Sequence, residues 1–212
     1  FSLQNKAIFA EQVRAILRAG AGADLRIMFP MISSIEEFHE AREVVYDSIA
    51  SLGKQGLEHN EKPRLGMMVE LPAVADLAEE FAREASFFSI GTNDLIQFML
   101  AADRTNENVA GFYLPHHPAV LRTLSRVTRA AVEHDCDVSI CGDMAHETRY
   151  TSFLLGIGVR TFSVDPIYLL RTQQAIGARS LTDAQNLAKE MLARSRISDI
   201  AALLDAQTPA TS

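Results

Sequence analysis

The feature that most constrains this chain is a recurrence of short apolar runs, each followed by a stretch with helical periodicity. The runs are Leu25–Phe29, Leu65–Val69, Phe87–Ile90, Val138–Cys141 and Thr161–Val164. Each is four or five residues long and dominated by branched, aromatic or Met side chains, the pattern of a strand buried on both faces. Between them, Ile35, Phe38, Val45, Ile49 and Leu52 fall near helical spacing behind Ser34 and Glu37, a capping-box arrangement. Pro72 and Pro118 suit the first turns of two further helices, because a missing N–H costs nothing there. A helix around Thr148–Leu155 stops at Gly156, and Thr182 with Gln185 predicts the cap of another that reaches about Ala193. A first helix, roughly Asn5 to Arg18, precedes them all.

Strand–helix alternation of this kind means an α/β protein with parallel strands. Either a doubly wound sheet or part of a (β/α)8 TIM-type barrel fits, and the polar residues separate the two. Four runs end near unusual polar groups: Glu70, then Asn93 with Asp94, then Cys141, and finally Asp165. Side chains converging from several strand C-termini is the barrel arrangement. Eight strands close a barrel and this chain offers five, so it reads as about the last five β/α units, with residues 1–206 in that domain and 207–212 as a polar tail.

Bulk properties remove some functions. A formal charge of −7 argues against nucleic acid, which selects clustered Lys and Arg. No apolar run reaches the length of a membrane span and no signal-peptide pattern opens the chain, so no membrane insertion is expected. Cys136 and Cys141 match neither a CxxC redox pair nor a zinc spacing, and a reducing cytoplasm is the simplest location. The opening at Phe1 reads as part of a longer protein.

Five residues could carry chemistry. Glu70 closes an apolar strand, where a carboxylate must be paired, hydrogen-bonded or metal-bound. Asp94 offers a second hard oxygen ligand for Mg²⁺ or Mn²⁺, although Thr92-Asn93-Asp94 would also serve simply as a helix cap. Asn93 brings a neutral donor, and Arg104 a fork of donors suited to phosphate or carboxylate but equally able to make a surface pair with Asp103. Cys141, followed by Gly142, could be a nucleophile, a metal ligand, a proton donor or an inert packing residue. His116 and His117 are adjacent before Pro118 and read as cap or surface, while His39, His59, His134 and His146 read as solvent-facing.

Taken in order, Leu25–Ile32 (LRIMFPMI), Gly66–Ala73 (GMMVELPA), Phe87–Phe98 (FFSIGTNDLIQF), Ala101–Arg104 (AADR) and Ile140–Ala145 (ICGDMA) resemble one family. It is Enzyme I, the phosphoenolpyruvate (PEP)–protein phosphotransferase of the bacterial sugar and nitrogen phosphotransferase systems, and the resemblance is to its C-terminal PEP-binding domain. It implies Mg²⁺-dependent transfer of a phosphoryl group from PEP to a His on a separate N-terminal domain, and on to an HPr-like carrier. It assigns Glu70 and Asp94 as metal ligands, Asn93 and Arg104 as substrate-binding residues, and Cys141 as the donor that protonates C3 of enolpyruvate. A five-strand arc leaves two unpaired edges to be covered by the first helix and C-terminal segments, by further residues or by a partner chain, and a homodimer is expected.

The chain departs from the pattern in two places: Asp143 stands where the family has Glu, and Ser163–Leu170 (SVDPIYLL) replaces a Ser- and Ala-rich turn. The family's two further substrate arginines would belong to strands before Phe1, so this stretch alone is expected to be inactive. Pyruvate phosphate dikinase and PEP synthase share the metal and Cys positions, but Met144 and Ala145 favour Enzyme I. His116–Leu124 (HHPAVLRTL) leans towards the nitrogen branch. A non-catalytic dimerisation or PEP-sensing module is the reading from another class.

Overall fold

In a computed structural model describing residues 1–207, all five runs form strands of one parallel sheet. They are β1 (Arg26–Phe29), β2 (Arg64–Val69), β3 (Phe87–Gly91), β4 (Asp137–Cys141) and β5 (Thr161–Phe162), ordered β1-β2-β3-β4-β5. Spatial order therefore equals sequence order. A doubly wound sheet must reverse direction at a switch point, whereas right-handed crossovers that always advance the same way keep their helices on one side. That is the arc of a (β/α)8 barrel, and it decides between the two architectures in favour of a partial barrel. β1 and β5 are its edges among the described residues.

Register fixes which side chains share a face. Met28 pairs with Gly66, Gly66 with Phe87 and Phe87 with Asp137, while Gly91 pairs with Cys141. Because strand side chains alternate, Arg26, Met28, Ser89, Ser139 and Cys141 fall on the inner, concave side of the arc. Ile27, Phe29, Leu65, Met67, Phe88 and Ile90 point outwards and are buried against helices.

Those helices are α1 (Lys6–Ala19), α2 (Ile35–Lys54), α3 (Pro72–Asp76), α4 (Ala78–Glu84), α5 (Thr92–Leu100), α6 (Pro118–Glu133), α7 (Asp143–His146), α8 (Thr151–Gly156), α9 (Leu169–Gly177), α10 (Leu181–Ala193) and α11 (Ile197–Asp205). The core between sheet and helices includes a chain of edge-to-face rings, Phe9–Phe29–Phe38–Phe81, with centroids 5.9–6.3 Å apart. Each buried Phe contributes about 1.5–3 kcal/mol over exposure. α8 lies close enough to α10 that a side chain at Gly156 would overlap the Ala184 carbonyl and come 2.7 Å from Ala188 Cβ.

Local signals held at most helix starts, with shifts. Pro72 and Pro118 begin their helices, and the His117 ring accepts from the Ala119 N–H at 3.1 Å as the cap of α6. Ser34 caps α2, and the Glu37 carboxylate reaches back to the Ser34 backbone N–H and also to Ser33, accepting from its N–H and its hydroxyl at 2.7 Å each. The cap expected from Thr182 and Gln185 is instead Ser180, which accepts from the Asp183 N–H, so the helix starts at Leu181. Two histidines expected to face solvent do not simply do so. His146 stacks on Tyr168 at 3.9 Å, and His59 Nε2 is buried with no hydrogen-bond partner among the described residues. Among the described residues no helix is long and apolar enough to cross a membrane. The expected tail, apart from Gln207, lies outside the described residues.

Candidate active site

At the C-terminal rim of the sheet two carboxylates meet. Glu70 follows β2 directly, keeps the inward parity of Met68 and is only 3% exposed. Asp94 stands in the first turn of α5, just past β3, with its carboxyl within hydrogen-bonding reach of Glu70. Burial pushes the Glu70 carboxyl above the usual range and the Asp94 charge adds to the rise, against one favourable contact. That contact is the backbone N–H of Met31, which donates to Glu70 Oε1 at 2.7 Å. Met31 adopts the left-handed conformation (φ 54°), uncommon for a side chain of its kind, and so aims its N–H from the β1–α2 turn at the carboxylate. Among the described residues neither Glu70 nor Asp94 is in an ion pair with a cationic side chain.

The β3 and β4 ends are tied to each other beside this pair. Thr92 Oγ1 donates to the Cys141 carbonyl at 2.7 Å, and Asn93 Oδ1 accepts from the Asp143 N–H at 2.8 Å. Gly142 makes this approach possible. It turns with φ 87°, and a Cβ there would collide with Thr92 Oγ1 and sit 2.7 Å from Asn93 Oδ1. The Cys141 thiol is partly exposed, 3.5 Å from the Ser89 hydroxyl and 3.4 Å from the Ile90 carbonyl. Burial raises its pKa, with the Glu70 and Asp94 charges adding, so it stays a protonated thiol at neutral pH. Cys136, by contrast, is sealed in the core with its thiol pushed up to about 12.

Arg104 arrives from the loop after α5, which ends at Leu100 with Ala101 in a left-handed turn. Its guanidinium is 3.5 Å from Asp143, and its backbone N–H reaches Gln97 Oε1 at 3.4 Å. The alternative pairing with Asp103 does not form, since Asp103 closes a local turn with Thr105. All five residues nominated from the sequence thus gather at one rim: Glu70, Asp94 and Cys141 in mutual electrostatic reach, Asn93 and Arg104 joined through Asp143. Residue patterns missed Met31, which contributes a backbone N–H, and Tyr113, whose hydroxyl reaches the Asn93 carbonyl at 3.4 Å from a long loop that folds back. A cavity of about 730 Å³ lies elsewhere. It is the concave floor at the N-terminal ends of the strands, bordered by Arg26, Phe87, Asp137, Arg160 and Thr161.

Residues 1–181 match the protein family described as PEP-utilising enzyme, PEP-binding domain. The chain belongs to this family. This PEP-binding domain is 39% identical over 204 residues to the phosphoenolpyruvate-protein phosphotransferase of Listeria monocytogenes, covering 96% of the chain and 36% of that protein. The protein of the same name from Bacillus subtilis is 39% identical over 202 residues, covering 95% and 35%. That from Priestia megaterium is 42% identical over 183 residues, covering 86% and 32%. The domain therefore spans about a third of these curated relatives. Among solved structures, a citrate lyase from Burkholderia xenovorans LB400 superposes with a TM-score of 0.59 at 16% identity, covering 93% of this chain and 67% of that one. That likeness extends to the barrel-type fold alone.

The donor set of the PEP-binding domain suits a hard divalent cation. Two like-charged carboxylates in contact, one fully buried, are relieved by a cation between them. Among the described residues no group of three or more His, Cys, Asp or Glu gathers, so a metal would take two carboxylates and leave its other positions for water and substrate oxygens. Mg²⁺ is commonly held in that way.

Proposed function

We propose that this chain is the PEP-binding catalytic domain of a phosphoenolpyruvate-protein phosphotransferase, passing the phosphoryl group of PEP to a His on a separate N-terminal domain and then to an HPr-like carrier. The observation that carries the reading is the unpaired Glu70–Asp94 couple beside the Cys141 thiol at the strand-end rim. The names of the relatives support the reaction, and the match of residues 1–181 supports the substrate. Glu70 and Asp94 would hold Mg²⁺, or Mn²⁺ in its place. When bound, the cation supplies Lewis-acid neutralisation of substrate phosphate and carboxylate charge. Met31 helps keep Glu70 ionised and oriented for that task.

Asn93 and Arg104 would receive the phosphate, one as a neutral donor and the other as a cationic fork. When the bond between the bridging oxygen and phosphorus breaks, the phosphoryl group goes to the acceptor His nitrogen and the electron pair stays with enolpyruvate. Cys141 then gives its thiol proton to C3, forming the methyl group of pyruvate, and the thiolate recovers a proton from water. A raised thiol pKa serves this role, since a donor must arrive protonated. The reaction consumes no His of this chain. The whole protein would act in the cytoplasm as a homodimer.

Titration calorimetry of the chain with PEP tests the reading. Heat of binding should appear with Mg²⁺ present and vanish with chelator or with Glu70→Ala. Binding of equal strength without a divalent cation would overturn the metal assignment, and no binding under any condition would overturn the reading.

A further inference from the structure

We propose that Tyr113 is a further positioning residue of this site, its hydroxyl tying the Arg104 loop to Asn93 so that both meet the substrate phosphate in register. The inference rests on the function proposed above and adds a residue to it. Tyr113 follows a single 3-10 turn, Ala110–Phe112, in the long connection between α5 and α6. Its hydroxyl donates to the Asn93 carbonyl at 3.4 Å, reaching back twenty residues to the first turn of α5. Around the phenol stand Asp143, Arg104, Glu147 and Asp94, which are the charged groups of the rim. Burial and those acids push the phenol up to about 12, so it remains an O–H donor throughout the physiological range.

The connection needs such a tie because it has little else. Residues 103–108 are exposed, and their side-chain bonds are mostly local: Asp103 with Thr105, and Asn106 with the Asn108 N–H. Among the described residues, Arg104 is held to the rim by the 3.5 Å contact of its guanidinium with Asp143 and the 3.4 Å contact of its backbone N–H with Gln97. At the far end of the connection, His116 meets the buried Tyr150 hydroxyl at 3.5 Å. Tyr113 is thus the tether nearest the substrate groups. It grips the residue whose side chain also fixes Asp143, and Asp143 in turn faces Arg104. Loosening the tether should spread Arg104 and Asn93 over many placements before substrate arrives, which weakens binding more than it slows the bound reaction.

The test uses the full-length protein that carries this domain and measures PEP-dependent phosphorylation of its carrier. Tyr113→Phe keeps the ring and removes the hydroxyl. The KM for PEP should rise about three- to tenfold, the worth of one hydrogen bond, while kcat at saturating PEP changes less than twofold and the melting temperature hardly moves. Tyr113→Leu should show the same KM rise with a lower melting temperature. An unchanged KM in Tyr113→Phe overturns the inference, as does a fall in kcat with KM unchanged, which would put the hydroxyl in the chemical step. Should the wild-type protein fail to transfer phosphate from PEP at all, the proposed function falls and this inference with it. Wild-type transfer with an indifferent Tyr113→Phe removes the inference alone.

Discussion

The two ends of the sheet carry charge in opposite ways. At the N-terminal end, Asp137 Oδ2 receives two guanidiniums, Arg26 at 3.0 Å and Arg64 at 2.9 Å, drawn from β1, β2 and β4. Arg26 also lies over the Phe87 ring, 5.6 Å from its centroid. Asp137 is thus compensated by opposite charge, and Arg160 beside it donates to the Leu155 and Val159 carbonyls at 2.8 Å each. At the C-terminal rim, Glu70 and Asp94 share one place with no cationic side chain paired to either among the described residues, Met31 holds a left-handed turn, and contacts to Arg104 and Tyr113 stretch to 3.4–3.5 Å. Groups of one sign gathered at a cost are what a site awaiting a ligand looks like, whereas compensated pairs need nothing further. One architecture thus sets an end of compensated ion pairs against an end of gathered carboxylates, and the latter is the end where barrels place their active sites.

The largest break in that contrast should come from the rim. In the full-length protein, Glu70→Ala or Asp94→Ala should lower phosphoryl transfer from PEP by roughly a thousandfold or more, because a cation's several kcal/mol of charge neutralisation is lost. Carrier phosphorylation assayed with radiolabelled PEP measures it. Activity within tenfold of wild type would mean that the paired carboxylates are not the metal site.

A middle-sized effect should come from the cation itself. Mg²⁺ at a hundred times its dissociation constant should stabilise the domain by about 2.7 kcal/mol, read as a higher melting temperature. The folded chain holds the Glu70 proton more tightly than the unfolded chain does, so Mg²⁺ must displace it as pH falls. The Mg²⁺-induced shift should therefore fade through Glu70's folded pKa, beginning above the ordinary Glu range. Without cation, stability should fall as pH rises between the unfolded and folded pKa values of this group. Glu70→Gln should abolish both effects, and a Mg²⁺ shift that persists in that variant would place the ion elsewhere.

The smallest effect belongs to the other end. Asp137→Ala removes two ion pairs whose partners are 37–52% exposed, so solvent screens them. The cost should be about 0.2–1 kcal/mol for each pair at most, a drop of a few degrees in melting temperature, with PEP affinity unchanged. A loss of PEP binding in Asp137→Ala would erase the distinction between the two ends.

Much of this was legible before any coordinates. Glu70, Asn93, Asp94 and Cys141 sit at the ends of apolar runs or just beyond them, with Arg104 further on past a helix; a costly polar group at a strand end is a signal in one dimension, and the order of the five motifs singled out all five residues. Less visible was what each would touch. Asp143 reads in the sequence as a shortened Glu, yet its N–H anchors Asn93 and its carboxylate meets Arg104. Nothing local marks Tyr113, and Met31 contributes a backbone atom that any residue possesses. The Thr182 cap failed because two competing hydroxyls, Ser180 and Thr182, stand within one turn, and packing of α10 against α8 decides which begins the helix.

By itself, then, the sequence determined the five strands, the helices between them and the residues able to carry chemistry, since periodicity, caps and turn residues act over a few positions. Only the tertiary structure decided that the strands advance in one direction, that two carboxylates 24 residues apart come together, and that Asp137 meets Arg26 and Arg64. Those outcomes depend on parallel register, where each crossover brings distant residues to the same height on neighbouring strands. No short window of sequence contains both partners of such a contact, so its sign and its cost emerge only when the arc is assembled.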